Sequence, residues 1–201
     1  MSASPEPSDH PAGAAEAPDP YVHWIARIAR GDAQAFEALF RALYDRLCAF
    51  AESYVGSPQA AEEIVDDVFL NLWVGREQLR IRSSVLSYLF VAVRNKSLTH
   101  LSRANLERRY AERVRAQEPL PMVDGVQEVE EQAATNELLV LVQEAIRQLP
   151  PRARQTYVLY YQQHLSYAEI AGIMGVSVKT VENQLSRALK ILWLRLKDRL
   201  L

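Results

Sequence analysis

The stretch LSYAEIAGIMGVSVKTVENQLSRALK, residues 165–190, contains two helical patterns separated by a glycine. Ser166, followed three residues later by Glu169, is a capping box and predicts that a helix begins there. Gly175 can adopt the left-handed conformation that ends a helix, and Ser177 is a favourable cap for the next one. Two helices joined by so short a glycine turn form a helix-turn-helix, which is the motif that we predict for this stretch.

The two predicted helices have a buried side and an outer side. Apolar residues at helical spacing predict the buried side. They are Ile170, Ala171, Ile173 and Met174 in the first helix, and Val178, Val181, Leu185, Leu189, Leu192 and Leu196 in the second. The first turns of such a second helix enter the major groove of DNA, so its outer polar side chains predict DNA reading. The alternative is the solvated face of an ordinary helical hairpin.

Basic and acidic residues are segregated along a chain whose net charge is only −2. Residues 1–79 have a net charge of −8, residues 80–115 of +7, residues 116–147 of −6 and residues 148–201 of +5. Two basic blocks that alternate with acidic ones are typical of a chain with two anion-facing surfaces. Solvated helix faces explain the same pattern equally well.

The whole sequence predicts an all-α fold with two small helical domains joined by a flexible acidic linker. Residues 1–20 are rich in Pro, Ala, Ser and acidic side chains, which predicts a disordered tail. Residues 21–115 show four helical patterns and form the first domain. Residues 116–135 contain prolines, a glycine and acids without a periodic apolar face, which predicts the linker. Helical patterns return over residues 136–201, the second domain.

Several functional classes are disfavoured by what the sequence lacks. A single cysteine, Cys48, and an N-terminus without the pattern of a signal peptide predict a cytoplasmic protein. No apolar run approaches the roughly 18 residues that span a bilayer, so we expect no membrane insertion. The four histidines are scattered, which predicts no metal site. Without paired carboxylates, a nucleophile–base pair or a phosphate loop, we expect no enzyme, no cofactor and no small-molecule substrate.

The C-terminal stretch LPPRARQTYVLYYQQHLSYAEIAGIMGVSVKTVENQLSRALKIL resembles region 4 of the extracytoplasmic-function (ECF) sigma factors of bacterial RNA polymerase. The matching residues are Leu149, Pro150, Glu169, Ile170, Ala171, Gly175, Ser177, Thr180, Val181, Arg187 and Ala188. In that family region 4 binds the −35 promoter element. The resemblance implies −35 contacts at Lys179, Thr180, Glu182, Asn183, Gln184 and Arg187. Arg152 and Arg154, at the start of the preceding helix, are the expected phosphate contacts.

The N-terminal stretches GDAQAFEALFRALYDRLCAFAESYV and AAEEIVDDVFLNLW resemble sigma region 2, including its polymerase-binding helix. The matching residues of that helix are Glu62, Glu63, Val65, Asp67, Phe69 and Trp73. The chain departs from the family pattern at Asp66, where glutamine is usual. The resemblance implies polymerase contacts at Glu63, Asp66, Asp67, Phe69, Asn71 and Trp73.

The next stretch, LRIRSSVLSYLFVAVRNKSLTHLSR, resembles the part of region 2 that binds and opens the −10 element. In that family a loop before the fourth helix captures a flipped base. Strand opening needs cations for phosphates and a pocket or flat ring for an unstacked base. The implied −10 residues are Arg80, Arg82, Ser83, Ser84, Tyr88, Arg94, Asn95, Lys96 and His100. Packing explains Tyr88 equally well, and a surface histidine is the simpler interpretation of His100.

The resemblance covers residues 21–115 and 136–201 and implies an ECF sigma factor. Such a protein binds core RNA polymerase and promoter DNA, and it is usually held inactive by an anti-sigma factor. One alternative is a stand-alone helix-turn-helix regulator, but it needs a dimer interface or a sensor domain, and no receiver or ligand-binding segment is visible in the sequence. The other is a sigma mimic that sequesters an anti-sigma factor, but a mimic loses the DNA-facing cations that this chain keeps.

Overall fold

The computed structural model of the chain describes residues 19–81, 84–115 and 137–200. These residues form eight α-helices and no strand, which confirms the predicted all-α fold. The helices are α1 (Val22–Ile28), α2 (Ala33–Val55), α3 (Pro58–Val74), α4 (Val85–Arg115), α5 (Glu137–Arg147), α6 (Pro151–Tyr157), α7 (Tyr167–Met174) and α8 (Val178–Leu200). The sequence did not predict a 3-10 turn, Arg76–Gln78, or a π-helical turn, Val158–Gln162, that extends α6. Tail residues 1–18 and the linker, 116–135, lie outside the described residues.

The helix-turn-helix begins and ends at the residues that the sequence indicated. The Ser166 hydroxyl accepts a hydrogen bond from the Glu169 amide at 3.3 Å, and the Glu169 carboxylate accepts one from the Ser166 amide at 2.8 Å. Gly175 has φ = +66°, a backbone conformation that residues with a Cβ atom rarely adopt. The Ser177 hydroxyl then accepts from the Thr180 amide at 3.1 Å and caps α8. The predicted capping box and helix-turn-helix are therefore confirmed.

The Ser166 capping box gives a testable contribution to stability. In a Ser166→Ala variant, the Glu169 amide loses its side-chain acceptor, and we expect the free energy of unfolding to fall by about 1 kcal/mol. Urea denaturation followed by circular dichroism measures the change. Ser186→Ala is the matched control because Ser186 is an exposed residue in the interior of α8. Equal midpoints for the two variants would contradict the capping role.

The first four helices pack around one stripe of α2. Leu39, Leu43, Leu47 and Phe50 recur at the helical period and are completely buried. The flanking helices α1, α3 and α4 all contact α2, so its apolar stripe faces the centre of the N-terminal half. The helical period of these apolar residues in the sequence thus coincides with the buried side of α2.

The C-terminal helices contribute to two hydrophobic clusters. A small cluster contains Ala145, Leu149, Ala153, Ala188 and Leu192 and joins α5, α6 and α8. The large cluster contains the α2 stripe and also the inner residues of α7 and the start of α8. The helix-turn-helix thus shares a core with the N-terminal helices, a packing that the sequence did not predict.

Two residues of the stripe predicted for α8 are exposed. Val178 is 43% exposed and Leu189 is 40% exposed. Val178 is the first residue of α8, at its exposed end. In the middle of α8 the small Ala188 occupies the buried position, so its neighbour Leu189 is rotated about 100° towards solvent.

Candidate nucleic-acid interface

The outer face of α8 presents one row of polar side chains to solvent. Lys179, Asn183 and Arg187 are exposed and recur every four residues, so they lie on the same side of the helix. The Lys179 ammonium lies 2.7 Å from the carboxylate of Glu182, three residues further along the helix. Both side chains are partly exposed, and such an ion pair is weak enough for a phosphate to compete for the lysine. This row can contact base edges and backbone in a groove.

Three further predicted −35 residues face a cleft. Thr180, Gln184 and Arg152 line an opening of about 180 Å³ between α6, α7 and α8. The Gln184 Oε1 atom is buried and has no hydrogen-bond partner among the residues that the structure describes. Of the six residues that the sequence placed on α8, three form the open row, two line this cleft, and Glu182 pairs with Lys179.

The start of α4 is held by two side chains. The Ser84 hydroxyl accepts a hydrogen bond from the Ser87 amide at 3.1 Å and so caps the helix. The Asp19 carboxylate accepts from the Val85 amide, a contact that sequence reasoning missed. Nothing local in the sequence could reveal it, because 66 residues separate the partners. Of the predicted −10 loop, Arg80 is exposed, while Arg82 and Ser83 lie outside the described residues.

The −10 residues predicted on α4 lie in different environments. Asn95 and His100 are exposed. Tyr88 is half-buried against the large hydrophobic cluster. Arg94 is half-buried and turns towards the C-terminal helices, whereas the Lys96 ammonium lies 2.9 Å from the carboxylate of Asp67 on α3. The described −10 residues therefore do not form one continuous patch.

The predicted polymerase-binding residues lie mainly on one face of α3. Glu63, Asp66, Asp67 and Asn71 are exposed at helical spacing, and Trp73 is half-buried with the Arg76 guanidinium 4.7 Å from its ring centre. Phe69 is only 2% exposed and packs among aromatic rings of α2.

Sequence reasoning missed two apolar residues on that face. Leu70 is 58% exposed and Val74 is 70% exposed, one turn apart on α3. Together with the acidic residues they make an acidic surface with an apolar stripe, which suits a protein partner. The signal in the sequence was weak because the apolar residues of α3 cover more than one face.

Three predicted DNA contacts lie where the two halves of the molecule meet. The Arg154 guanidinium donates to the Ser53 carbonyl at 2.8 Å and to the Arg147 carbonyl at 2.9 Å, and burial lowers its pKa. Burial raises the pKa of the Tyr54 hydroxyl to about 12, while the positive charges of Arg94 and Arg152 lower it. Both arginines therefore lie near this hydroxyl. As DNA contacts, these three arginines stay predictions.

We expect Cys48 to react slowly in this fold. Burial raises its pKa to about 11, with nearby carboxylates acting in the same direction. At pH 8 we expect a disulfide reagent to modify it about 100-fold more slowly than an unfolded control, because only the thiolate attacks. The pKa of Cys48 is higher in the folded chain than in the unfolded chain, so folding favours the neutral thiol. The stability that this thiol contributes is therefore complete below the ordinary thiol pKa and is lost as the pH rises through about 11. Absorbance measurements of the labelling rate from pH 7 to 10 test this. Fast labelling of the native chain at pH 8 would contradict it.

The described residues contain no group of three or more His, Cys, Asp or Glu side chains that could hold a metal ion. Within the same part of the chain, no helix is long and apolar enough to cross a membrane.

Two parts of one family match this chain. Sigma-70 region 2 matches residues 39–107, which run from α2 into α4. The Sigma-70 region 4 family matches residues 139–192, which run from α5 into α8 and include the helix-turn-helix. Together the two matches cover more than half of the sequence. The chain belongs to the sigma-70 family. The resemblance of both halves is therefore confirmed, and α1–α4 are called region 2 and α5–α8 region 4 below.

Similar curated proteins are ECF sigma factors. The ECF RNA polymerase sigma factor SigW of Bacillus subtilis is 25% identical over 179 residues, which are 87% of this chain and 95% of that protein. The ECF RNA polymerase sigma factor SigM of Mycobacterium tuberculosis is 29% identical over 164 residues, 82% of this chain and 78% of that protein. These relatives place the chain in the ECF group.

A solved structure has the same fold. The sigma factor RpoE from Bartonella quintana, in complex with the anti-sigma factor NepR, superposes with a TM-score of 0.64 at 22% identity. The match covers 81% of this chain and 96% of that one. At this identity the likeness concerns the fold alone.

Proposed function

We propose that the chain is an alternative sigma factor, without catalytic activity of its own, that directs core RNA polymerase to a set of promoters. Region 4 reads the −35 element through the open row on α8, and region 2 binds and melts the −10 element. The single observation that carries the proposal is the occurrence of both sigma regions in one chain. Recognition divided between two linked domains lets each contact set be weak while the pair binds tightly.

The polymerase-binding surface is the acidic face of α3 with its apolar stripe. Glu63, Asp66, Asp67 and Asn71 supply its polar part, and Leu70 and Val74 supply apolar area that water covers in the free chain. At position 66 the chain has an aspartate where the family usually has a glutamine. Asp66 is exposed, so a polar side chain remains available at this position. This face therefore suits a partner with basic and apolar groups.

The alternatives explain less of the molecule. A stand-alone regulator has no need for region 2, whose family match alone spans residues 39–107. A sigma mimic has no need for the exposed cations Lys179 and Arg187 on the outer face of α8. An anti-sigma factor is the expected regulatory partner, since the structurally similar RpoE is bound to one.

Run-off transcription tests the proposal. Purified core polymerase is incubated with fragmented genomic DNA of the source organism, with and without this protein. We expect discrete new transcripts only when the protein is present, because core polymerase alone does not select promoters.

Two other outcomes point to the alternatives. Stable binding to core polymerase without transcripts favours a sigma mimic. Sequence-specific DNA binding by the protein alone, without binding to core polymerase, favours a stand-alone regulator. Either result overturns the proposed function.

A further inference from the structure

Regions 2 and 4 are joined by a two-pronged hydrogen bond. The Arg46 guanidinium on α2 donates from Nε to the Gln163 side-chain oxygen at 2.8 Å and from Nη2 to the Gln163 carbonyl at 3.0 Å. Gln163 follows the π-helical turn of region 4 and is only 5% exposed. A planar guanidinium that satisfies both oxygens of one buried residue is a specific contact, whereas a surface ion pair is not.

A second set of contacts lies further along α2. Arg154 of region 4 donates to the Ser53 carbonyl, and the Tyr54 hydroxyl donates to the Met174 sulfur at 3.4 Å. Tyr54 and Met174 are both buried, 7% and 3% exposed. The same α2 segment thus holds α6 through Arg154, which the resemblance assigns to phosphate, and α7 through Tyr54 and Met174, which it assigns to no contact. Arg46, Ser53 and Tyr54 with Arg154, Gln163 and Met174 are called the domain junction.

The domain junction also draws in cations that the proposed function assigns to DNA. Arg94 of the −10 helix extends towards the glycine turn of the helix-turn-helix, where its Nη2 lies 3.8 Å from the place of a Cβ on Gly175. The positive charges of Arg94 and Arg152 both lower the pKa of the Tyr54 hydroxyl, which places both side chains near it. The Nε atom of Arg94 is buried without a hydrogen-bond partner among the described residues. A buried polar atom of a cation without a hydrogen-bond partner costs free energy. When region 4 packs against region 2, Arg94 therefore keeps an unused donor that an anionic partner could satisfy.

We propose that the domain junction is a latch that closes region 4 onto region 2 in the free chain and competes with DNA for Arg94 and Arg152. The assignment of these two arginines to DNA rests on the proposed function. A DNA-competent chain must withdraw both cations from the junction, so closure lowers the apparent affinity for DNA by the fraction of chains that are open. Arg46 and Gln163 hold the latch and belong to neither the predicted DNA contacts nor the polymerase contacts.

Two effects of removing Arg46 on the affinity for DNA are expected to have opposite signs: the loss of its positive charge and the opening of the latch. Loss of a cation by itself weakens binding to DNA. If Arg46 holds the latch, Arg46→Ala instead raises the affinity of the free full-length chain for a random-sequence 30-base-pair duplex by about three- to tenfold. Fluorescence anisotropy at fixed low salt measures it. Gln163→Ala, which changes no charge, is expected to act in the same direction.

Arg41→Ala is the matched control. Arg41 lies on the same helix, its side chain is 78% exposed, and it pairs at 2.6 Å with Glu37 of the same helix. We expect this variant to bind DNA equally or more weakly than the original chain. Small-angle X-ray scattering of the same samples should show a larger radius of gyration for the Arg46 and Gln163 variants alone.

The outcomes separate the latch from the proposed function. Equal or lower DNA affinity in both latch variants, with a radius of gyration like that of Arg41→Ala, overturns the latch. Circular dichroism identifies a variant that fails to fold, and the other latch variant then decides. Failure of the proposed function shows independently, as an absence of run-off transcripts with the unaltered chain.

Discussion

An Arg187→Ala/Asn95→Ala double variant is expected to reduce run-off transcription with core polymerase by about 100-fold or more, since each side chain that reads a base or phosphate contributes about 1–3 kcal/mol. Arg187 is exposed in the open row on α8, and Asn95 is exposed on α4. One change removes a −35 contact and the other a −10 contact, so the losses fall on separate domains and should add. Quantified transcripts from a fixed template measure the effect.

A control that removes the same net charge and one asparagine distinguishes the loss of a contact from the loss of a charge. Lys190→Ala/Asn105→Ala removes one exposed cation from α8 and one exposed asparagine from α4, outside the predicted contacts. We expect its transcript level to stay within a few-fold of the original. Native gels should show both double variants bound to core polymerase, because neither touches the acidic face of α3. Equal transcript levels in the two double variants would remove Arg187 and Asn95 from the proposed interface.

The elements of the fold could be predicted because their signals are local. Asp32, Ser57 and Ser166 each accept hydrogen bonds from amides two or three residues later, so a cap needs only a few residues of sequence to be visible. Gly56 and Gly175 end helices at positive φ, which few other residues adopt. The helical period of the apolar residues on α2 then indicated its buried face.

The arrangement of the two regions could not be predicted because its contacts are distant in sequence. Arg46 meets Gln163 across 117 residues, and Arg154 meets Ser53 across 101. An arginine near the start of a region 4 helix has the same local sequence whether it faces a phosphate or a backbone carbonyl. Only the packing of α6 against α2 decides, and that packing depends on the whole core.

A Phe50→Ala variant is expected to lose about 3–5 kcal/mol of the free energy of unfolding. Phe50 is completely buried on α2, and its ring meets those of Tyr54 and Phe90 edge-on, with centroids 5.2 Å and 5.1 Å away. Truncation leaves a cavity and removes both ring contacts, in a fold whose total stability is expected to be about 5–15 kcal/mol. Urea denaturation followed by circular dichroism measures the loss, and Phe50→Leu, which fills most of the space, should lose much less.

The same variant tests whether the two regions unfold together. Phe50 belongs to the cluster that also contains Ile170 and Met174 of α7, and its neighbour Tyr54 bonds to Met174. If the shared core is one cooperative unit, hydrogen exchange at the amides of α7 should accelerate in Phe50→Ala as much as exchange in α2. If α7 keeps its protection while α2 loses it, the regions are independent units held by the latch alone. In that case Arg46→Ala should separate them without changing the stability of either.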